Sequence, residues 1–162
     1  MSEILVLTEE IRKSREALGK IECFFDQTVK GLNEAIRRDE KAVVVAELLS
    51  KYYTCLETIF LRISQFFENS LSADRWHADL LDKMTLQIEN VREAVIRDET
   101  RDALLELLKF RHFTRYYYDI SYDWDRLDYL MKKFGQVRPM VSEDLDRFLV
   151  FLREVESLGS EK

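Results

Sequence analysis

The sequence predicts an all-α fold, an antiparallel bundle of about five helices with a long last helix kinked near Pro139, and three observations carry that prediction. Four Gly and one Pro in 162 residues leave little material for the tight turns that a β-sandwich or barrel needs every ~8–12 residues. Apolar residues recur at helical rather than alternating spacing. A content of 46% hydrophobic and 35% charged residues suits a folded globule with a heavily solvated surface, and neither a disordered tail nor a fibrous repeat fits. The length is that of one domain, residues 1–162, which would bury roughly two-thirds of the surface of its unfolded chain.

Thr8, followed by Glu9 and Glu10, reads as the start of the first helix, because a hydroxyl caps free amides and acids complement the positive end of the helix dipole. Ile11, Leu18, Ile21, Phe25, Leu32 and Ile36 continue its stripe to Arg38. After Arg37-Arg38-Asp39-Glu40, a second long helix carries Val44, Leu48, Tyr52, Leu56, Ile59, Ile63 and Phe66 and ends near Asn69-Ser70. The width of its stripe predicts burial on two sides, and the Val43-Val44-Val45 run is read as helix despite its β preference. Ser72 is the expected cap of a third, shorter helix with Trp76, Leu80, Leu81 and Met84 inward, fading into a loop between Gln87 and Val91. Asp98 or Thr100 is the expected cap of a fourth, with Leu104, Leu107, Leu108 and Phe110 inward. A polar break from Asp119 to Asp123 precedes the last stretch, Trp124 to Val155, which Pro139 should kink or split.

The longest near-apolar stretch, Ala42 to Leu49, falls far short of the ~18 residues that span a bilayer, and the acidic N-terminus Met1-Ser2-Glu3-Ile4 does not read as a secretory signal. A cytoplasmic location is expected, with no membrane partner. Cys23 and Cys55 are read as reduced thiols among apolar neighbours. A net charge of −6 argues against a protein that coats nucleic acid, so any contact with it must be local. The charge is uneven: residues 109–138 hold seven Lys or Arg against four Asp.

Within that segment, Arg111 to Tyr118 is basic and aromatic. If helical at about 100° per residue, Arg111, Arg115 and Tyr118 fall within roughly 60° of one another, beside a face of His112, Tyr116 and Asp119. Two arginines one turn apart repel, which points to an anion as their reason for being together. Guanidinium groups hold phosphates through paired hydrogen bonds and aromatic rings stack on unpaired bases, so RNA or a nucleotide is the matching ligand. The plainer reading, which residue types alone favour, places Phe113, Tyr117 and other tyrosines in the core with the arginines snorkelling past them. His77 lies near Asp74 and Asp79, but no second histidine or cysteine stands at metal-ligand spacing, so it is read as a hydrogen-bonded structural residue.

Between about Ala42 and Leu152 stand Tyr53-x-x-Leu56-Glu57-x-Ile59-Phe60, Trp76-His77-x-x-Leu80-Leu81-x-x-Met84, Phe110-Arg111-His112-Phe113-x-Arg115, Trp124-x-x-Leu127 and Asp144-Leu145-x-x-Phe148-Leu149-x-Phe151-Leu152. On these markers the segment resembles a HepT-like member of the HEPN family. The resemblance implies a homodimeric helical bundle, the toxin of a toxin–antitoxin pair, which cuts RNA without metal or cofactor through an Arg-polar-x3-His motif. It implies as partner an antitoxin of the MNT nucleotidyltransferase type, which silences the toxin by attaching AMP to a tyrosine two residues after that histidine. Carried over residue by residue, Arg111 matches the arginine, His112 the polar residue and Tyr118 the AMPylated tyrosine. Lys109 and Arg115 are the accompanying RNA contacts.

Tyr116 stands where the family has histidine. Metal-free RNA cleavage needs one group to take a proton from the 2′-hydroxyl and another to protonate the leaving oxygen. An imidazole titrates near neutrality, whereas a phenol is ionised about one part in a thousand at pH 7, a handicap of about 4 kcal/mol as a base. Arg111, His112 and Tyr116 are the candidate catalytic set, with activity weak or lost. The alternatives are an inactive module that binds RNA or nucleotide and a nucleotidyltransferase, or a purely helical protein adaptor.

Overall fold

The computed structural model describes residues 2–68 and 76–161. Its helices are α1 (Glu3–Val29), α2 (Asp39–Phe67), α3 (Trp76–Lys83), α4 (Asp98–Arg115) and α5 (Trp124–Ser160), with a short 3-10 turn at Glu34–Ile36 and no strand among the described residues. The all-α, five-helix prediction holds. α2 is the hub, packing against each of the other four helices. The reason is its sequence: Val45, Leu49, Tyr52, Tyr53, Leu56, Ile59, Phe60 and Ile63 are all essentially inaccessible, a band too wide for one contact face. One hydrophobic cluster gathers residues from all five helices, and Tyr52, Phe134 and Phe25 meet edge to face inside it.

Several boundaries differ from the sequence expectation. α1 starts at Glu3, so Thr8 is not a cap but a buried interior residue whose hydroxyl donates back to the Ile4 carbonyl at 2.8 Å. The same helix stops at Val29 rather than Arg38, because Gly31 turns the chain with a φ of +66° and Asn33 caps the 3-10 turn by accepting from the Ala35 amide. Leu32 and Ile36 therefore lie outside α1. Val43 to Val45 are helical, as expected. The expected end of the second helix at Asn69-Ser70 and the Ser72 cap lie outside the described residues. Cys23 is exposed rather than set among apolar neighbours, while Cys55 is half-buried, its thiol pushed up in pKa by burial.

The connection from α3 to α4 is ordered around one arginine. Arg92 is buried, pairs with Glu68 and donates to the carbonyls of Lys83, Leu86 and Glu93, satisfying a turn that pivots on Asn90 at φ +62°. The cap of α4 is not supplied locally, as expected from Asp98 or Thr100, but by α5. The fully buried Asp144 carboxylate accepts from the Arg97 amide at 3.1 Å, from Arg97 Nε at 2.7 Å and from the Thr100 hydroxyl at 2.6 Å. Asp123 caps α5 by accepting from the Asp125 amide, and the helix runs unbroken through Pro139, where a kink or a split was expected. Among the described residues no helix is long and apolar enough to cross a membrane.

Asp144 joins two helices through one carboxylate. Asp144→Ala is expected to cost about 2–3 kcal/mol in urea unfolding, the sum of a lost cap and lost charged hydrogen bonds, whereas Thr100→Val costs about 1 kcal/mol because Arg97 stays paired.

Candidate functional site

The inward stripe of α4 runs Leu104, Leu107, Leu108 and Arg111, steps of three and four residues that keep one face toward α2. Arg111 is therefore only 7% exposed. Glu57 occupies an equivalent place on α2, between Tyr53 and Phe60, and is 6% exposed. The two meet head on: Arg111 Nη1 donates to Glu57 Oε1 at 2.8 Å and Nη2 to Oε2 at 3.1 Å, with Thr54 Oγ1 accepting from Nη1 at 3.3 Å. The guanidinium carbon lies 4.9 Å from the centre of the Tyr53 ring. Burial, and then the Glu57 charge, drive the Tyr53 phenol far above its ordinary pKa, so it stays neutral beside the pair.

His77 of α3 completes the cluster, with Nδ1 2.8 Å from Glu57 Oε2 and 3.1 Å from Arg111 Nη2. Nδ1 thus faces both a carboxylate, which only accepts hydrogen bonds, and a guanidinium, which only donates them, and its one in-plane site serves one of the two at a time. The expectation that His77 is hydrogen-bonded holds, but its partners are an acid and an arginine rather than a neutral packing site. Asp74 lies outside the described residues, and among those described no group of three metal-capable side chains forms.

The arginine face expected from helical spacing does not exist, because α4 ends at Arg115 and Tyr116 is its cap, with φ −113° and ψ 8°. Arg111 points inward, Arg115 is exposed, and Tyr118 sits in the following loop at 88% exposure. His112 and Tyr116 do remain neighbours, with ring centres 5.7 Å apart and edge to face, and both are exposed. Lys109 is also exposed, 3.9 Å from Glu106. Asp119 leaves the expected face and accepts from the Ile120 and Ser121 amides, forming a turn.

The plainer reading, which put Phe113 and Tyr117 in the core, is met only in part: Phe113 is half-buried and packs against the core, while Tyr117 is half-buried outside it. They stack 4.7 Å apart, Tyr117 continues onto Tyr122 at 5.0 Å and donates to the Ser121 carbonyl, and Arg126 covers Phe113 at 4.2 Å. Of the six site candidates, five thus lie at the surface around the end of α4, while Arg111 is separated from them and joined to Glu57 and His77, which sequence reasoning left without a role. A signal for Glu57 was present: a carboxylate on one apolar stripe and an arginine on another demand each other when their helices pack.

Removing either partner strands a buried charge, so Glu57→Ala and Arg111→Ala are each expected to cost about 3–5 kcal/mol in urea unfolding, while the double variant Glu57→Leu, Arg111→Met costs less than either single change. Equal additive losses would contradict the pairing.

Comparison with known proteins follows the same segment. A family model described as HepT-like protein matches residues 44–152, which takes in most of α2, all of α3 and α4 and most of α5. No curated protein and no solved structure matches the chain. With two-thirds of its length under that model, including Glu57, His77 and the whole run from Arg111 to Tyr118, the chain belongs to the HepT-like family of HEPN proteins.

Proposed function

We propose that this chain is the toxin-side component of a toxin–antitoxin pair and acts on RNA. The observation that carries the reading is the surface at the end of α4, where Arg115, His112, Tyr116 and Tyr118 are exposed together within the family-matched segment. Arg115 and Lys109 supply cations for phosphate in an otherwise acidic chain, which confines RNA to this locality. Exposed tyrosine rings offer faces for unpaired bases. His112 and Tyr116, edge to face, handle protons or orient the substrate. Tyr118, at 88% exposure, is open to a modifying enzyme, which fits AMP transfer by an MNT-type nucleotidyltransferase antitoxin. The working unit in this reading is a homodimer of one-domain chains.

A second reading, a module that binds RNA or nucleotide without turnover, is favoured by two observations. Tyrosine occupies position 116, and the Arg111 fork is taken up by Glu57 rather than presented to solvent.

Purified chain free of AMP is expected to bind RNA with unpaired bases through this surface and to cleave it slowly, with Tyr116→His raising the rate by at least about tenfold because an imidazole replaces a phenol at neutral pH. Cleavage seen only with Tyr116→His establishes the second reading. Co-expression with a nucleotidyltransferase encoded beside the chain should raise its intact mass by one or more AMP units, and Tyr118→Phe should abolish the increase. An unchanged mass in the native chain would sink the AMP assignment.

A further inference from the structure

Residues 109–138 are rich in positive charge within an acidic chain, and the fold neutralises that charge unevenly. Arg111 is paired with Glu57 and Arg138 with Asp26, while Arg37, from outside the segment, takes up Asp128 through two hydrogen bonds. Asp119 and Asp123 are engaged by backbone amides. Arg126 of α5 is exposed and forms no ion pair among the described residues, unlike Arg15, Arg37, Arg97 and Arg138, each of which holds a carboxylate. Its guanidinium carbon lies instead 4.2 Å from the centre of the Phe113 ring and 5.5 Å from that of Phe110. Contact with a ring face orients a guanidinium without occupying its N–H donors, which stay open to an anion. Lys133 repeats the arrangement two turns further along α5, with Nζ 5.6 Å from the centre of Tyr129, a residue 49% exposed.

This flank of α5 adjoins the surface at the end of α4. The two helices run antiparallel, since Arg97 at the start of α4 meets Asp144 while Phe113 near its end meets Arg126. At about 100° per residue, Lys109 lies within about 40° of Phe113 and about 20° of Tyr116 around α4, and Arg126 and Lys133 lie within about 20° of each other around α5. Phe113 is therefore the step between them, with Lys109 and Tyr116 to one side and Arg126 to the other. The acids along this side of α4 are engaged, Glu106 by Lys109 at 3.9 Å and Asp102 by Arg101 at 3.2 Å. We propose that Arg126, Tyr129 and Lys133 extend the RNA site onto α5, so that a single strand bound at Tyr116 and Lys109 continues over Phe113, with phosphates on the two cations and a base on Tyr129. The proposal rests on the RNA reading above. A single strand fits better than a duplex, because an exposed ring stacks on an unpaired base. Cations alternating with rings, rather than cations alone, favour RNA over an acidic protein surface.

Equilibrium binding of a fluorescent single-stranded RNA of about 12 nucleotides across a series of salt concentrations tests this, with urea unfolding checked for every variant. Each phosphate contact on a single strand contributes about 0.7 to the steepness of log K against log salt, so Arg126→Gln and Lys133→Gln should each flatten the slope by about 0.7, and Arg126→Lys should keep it. Tyr129→Leu should lose at least about fivefold in affinity with the slope unchanged. Arg153→Gln makes the same charge change about 40 Å further along α5 and should leave affinity and slope native. Native affinity and slope in the double variant Arg126→Gln, Lys133→Gln overturn the proposal, and a slope that Lys109→Gln still flattens then leaves the RNA reading standing without it. An equal loss in Arg153→Gln also overturns it, because net charge alone would account for the effect. So does native RNA binding by the double variant with loss of a co-purifying nucleotidyltransferase, which makes the flank a protein contact. A native chain that binds no RNA overturns the RNA reading and this extension together.

Discussion

Two opposite charges placed on the buried stripes of neighbouring helices must find each other, and the contact between Glu57 and Arg111 is where the arrangement of α2, α3 and α4 is decided. Apolar contacts such as those of Leu104, Leu107 and Leu108 are non-directional and tolerate a small slip. The bidentate pair does not: a shift of α4 by a fraction of a turn breaks both hydrogen bonds and strands two desolvated charges, at a cost of several kcal/mol. It therefore sets the rotation and register of α4 on α2. Through Nδ1 of His77 it reaches α3 as well, a helix of only eight residues that Leu80 and Leu81 also anchor in the core.

With Arg111 turned inward, the rest of its run has its position decided by geometry. His112 and Arg115 follow on outward faces of α4, and the helix stops before the tyrosines. The stop has a physical source in the aromatic column of Phe113, Tyr117 and Tyr122, the hydrogen bond from Tyr117 to the Ser121 carbonyl, and the Asp119 turn, which together direct the chain back toward α5. Tyr116 and Tyr118 are left at the surface as a consequence. One short segment thus divides into a buried charge that organises the bundle and an exposed patch available to ligands and partners. The HepT-like family assignment covers both halves.

Two helix ends in this bundle draw on residues far along the chain. Asp144 of α5 serves the start of α4, and Arg92 draws the carbonyls of Lys83, Leu86 and Glu93 together with the Glu68 carboxylate around one guanidinium. Such contacts join segments tens of residues apart, so they favour cooperative rather than piecewise unfolding of the α3–α5 region.

Hydrophobic periodicity and scarce turn residues determined the all-α class, the wide burial of α2 and the inward faces of α4 and α5, because these depend on which residues leave water and hardly on which partner receives them. The family was legible for the same reason, since its markers lie on those stripes. What only the tertiary structure decided were pairings between distant positions. Thr8 looked like a cap but lies inside α1, Thr100 turned to Asp144 across 44 residues, and the helical spacing that grouped Arg111 with Tyr118 failed where aromatic stacking ended α4. Local spacing says which face a residue shares with its neighbours on one helix; whether that face meets water or a buried carboxylate depends on the helix opposite. For Arg111 the helix opposite brought Glu57, and with it His77, whose partners the sequence alone did not name.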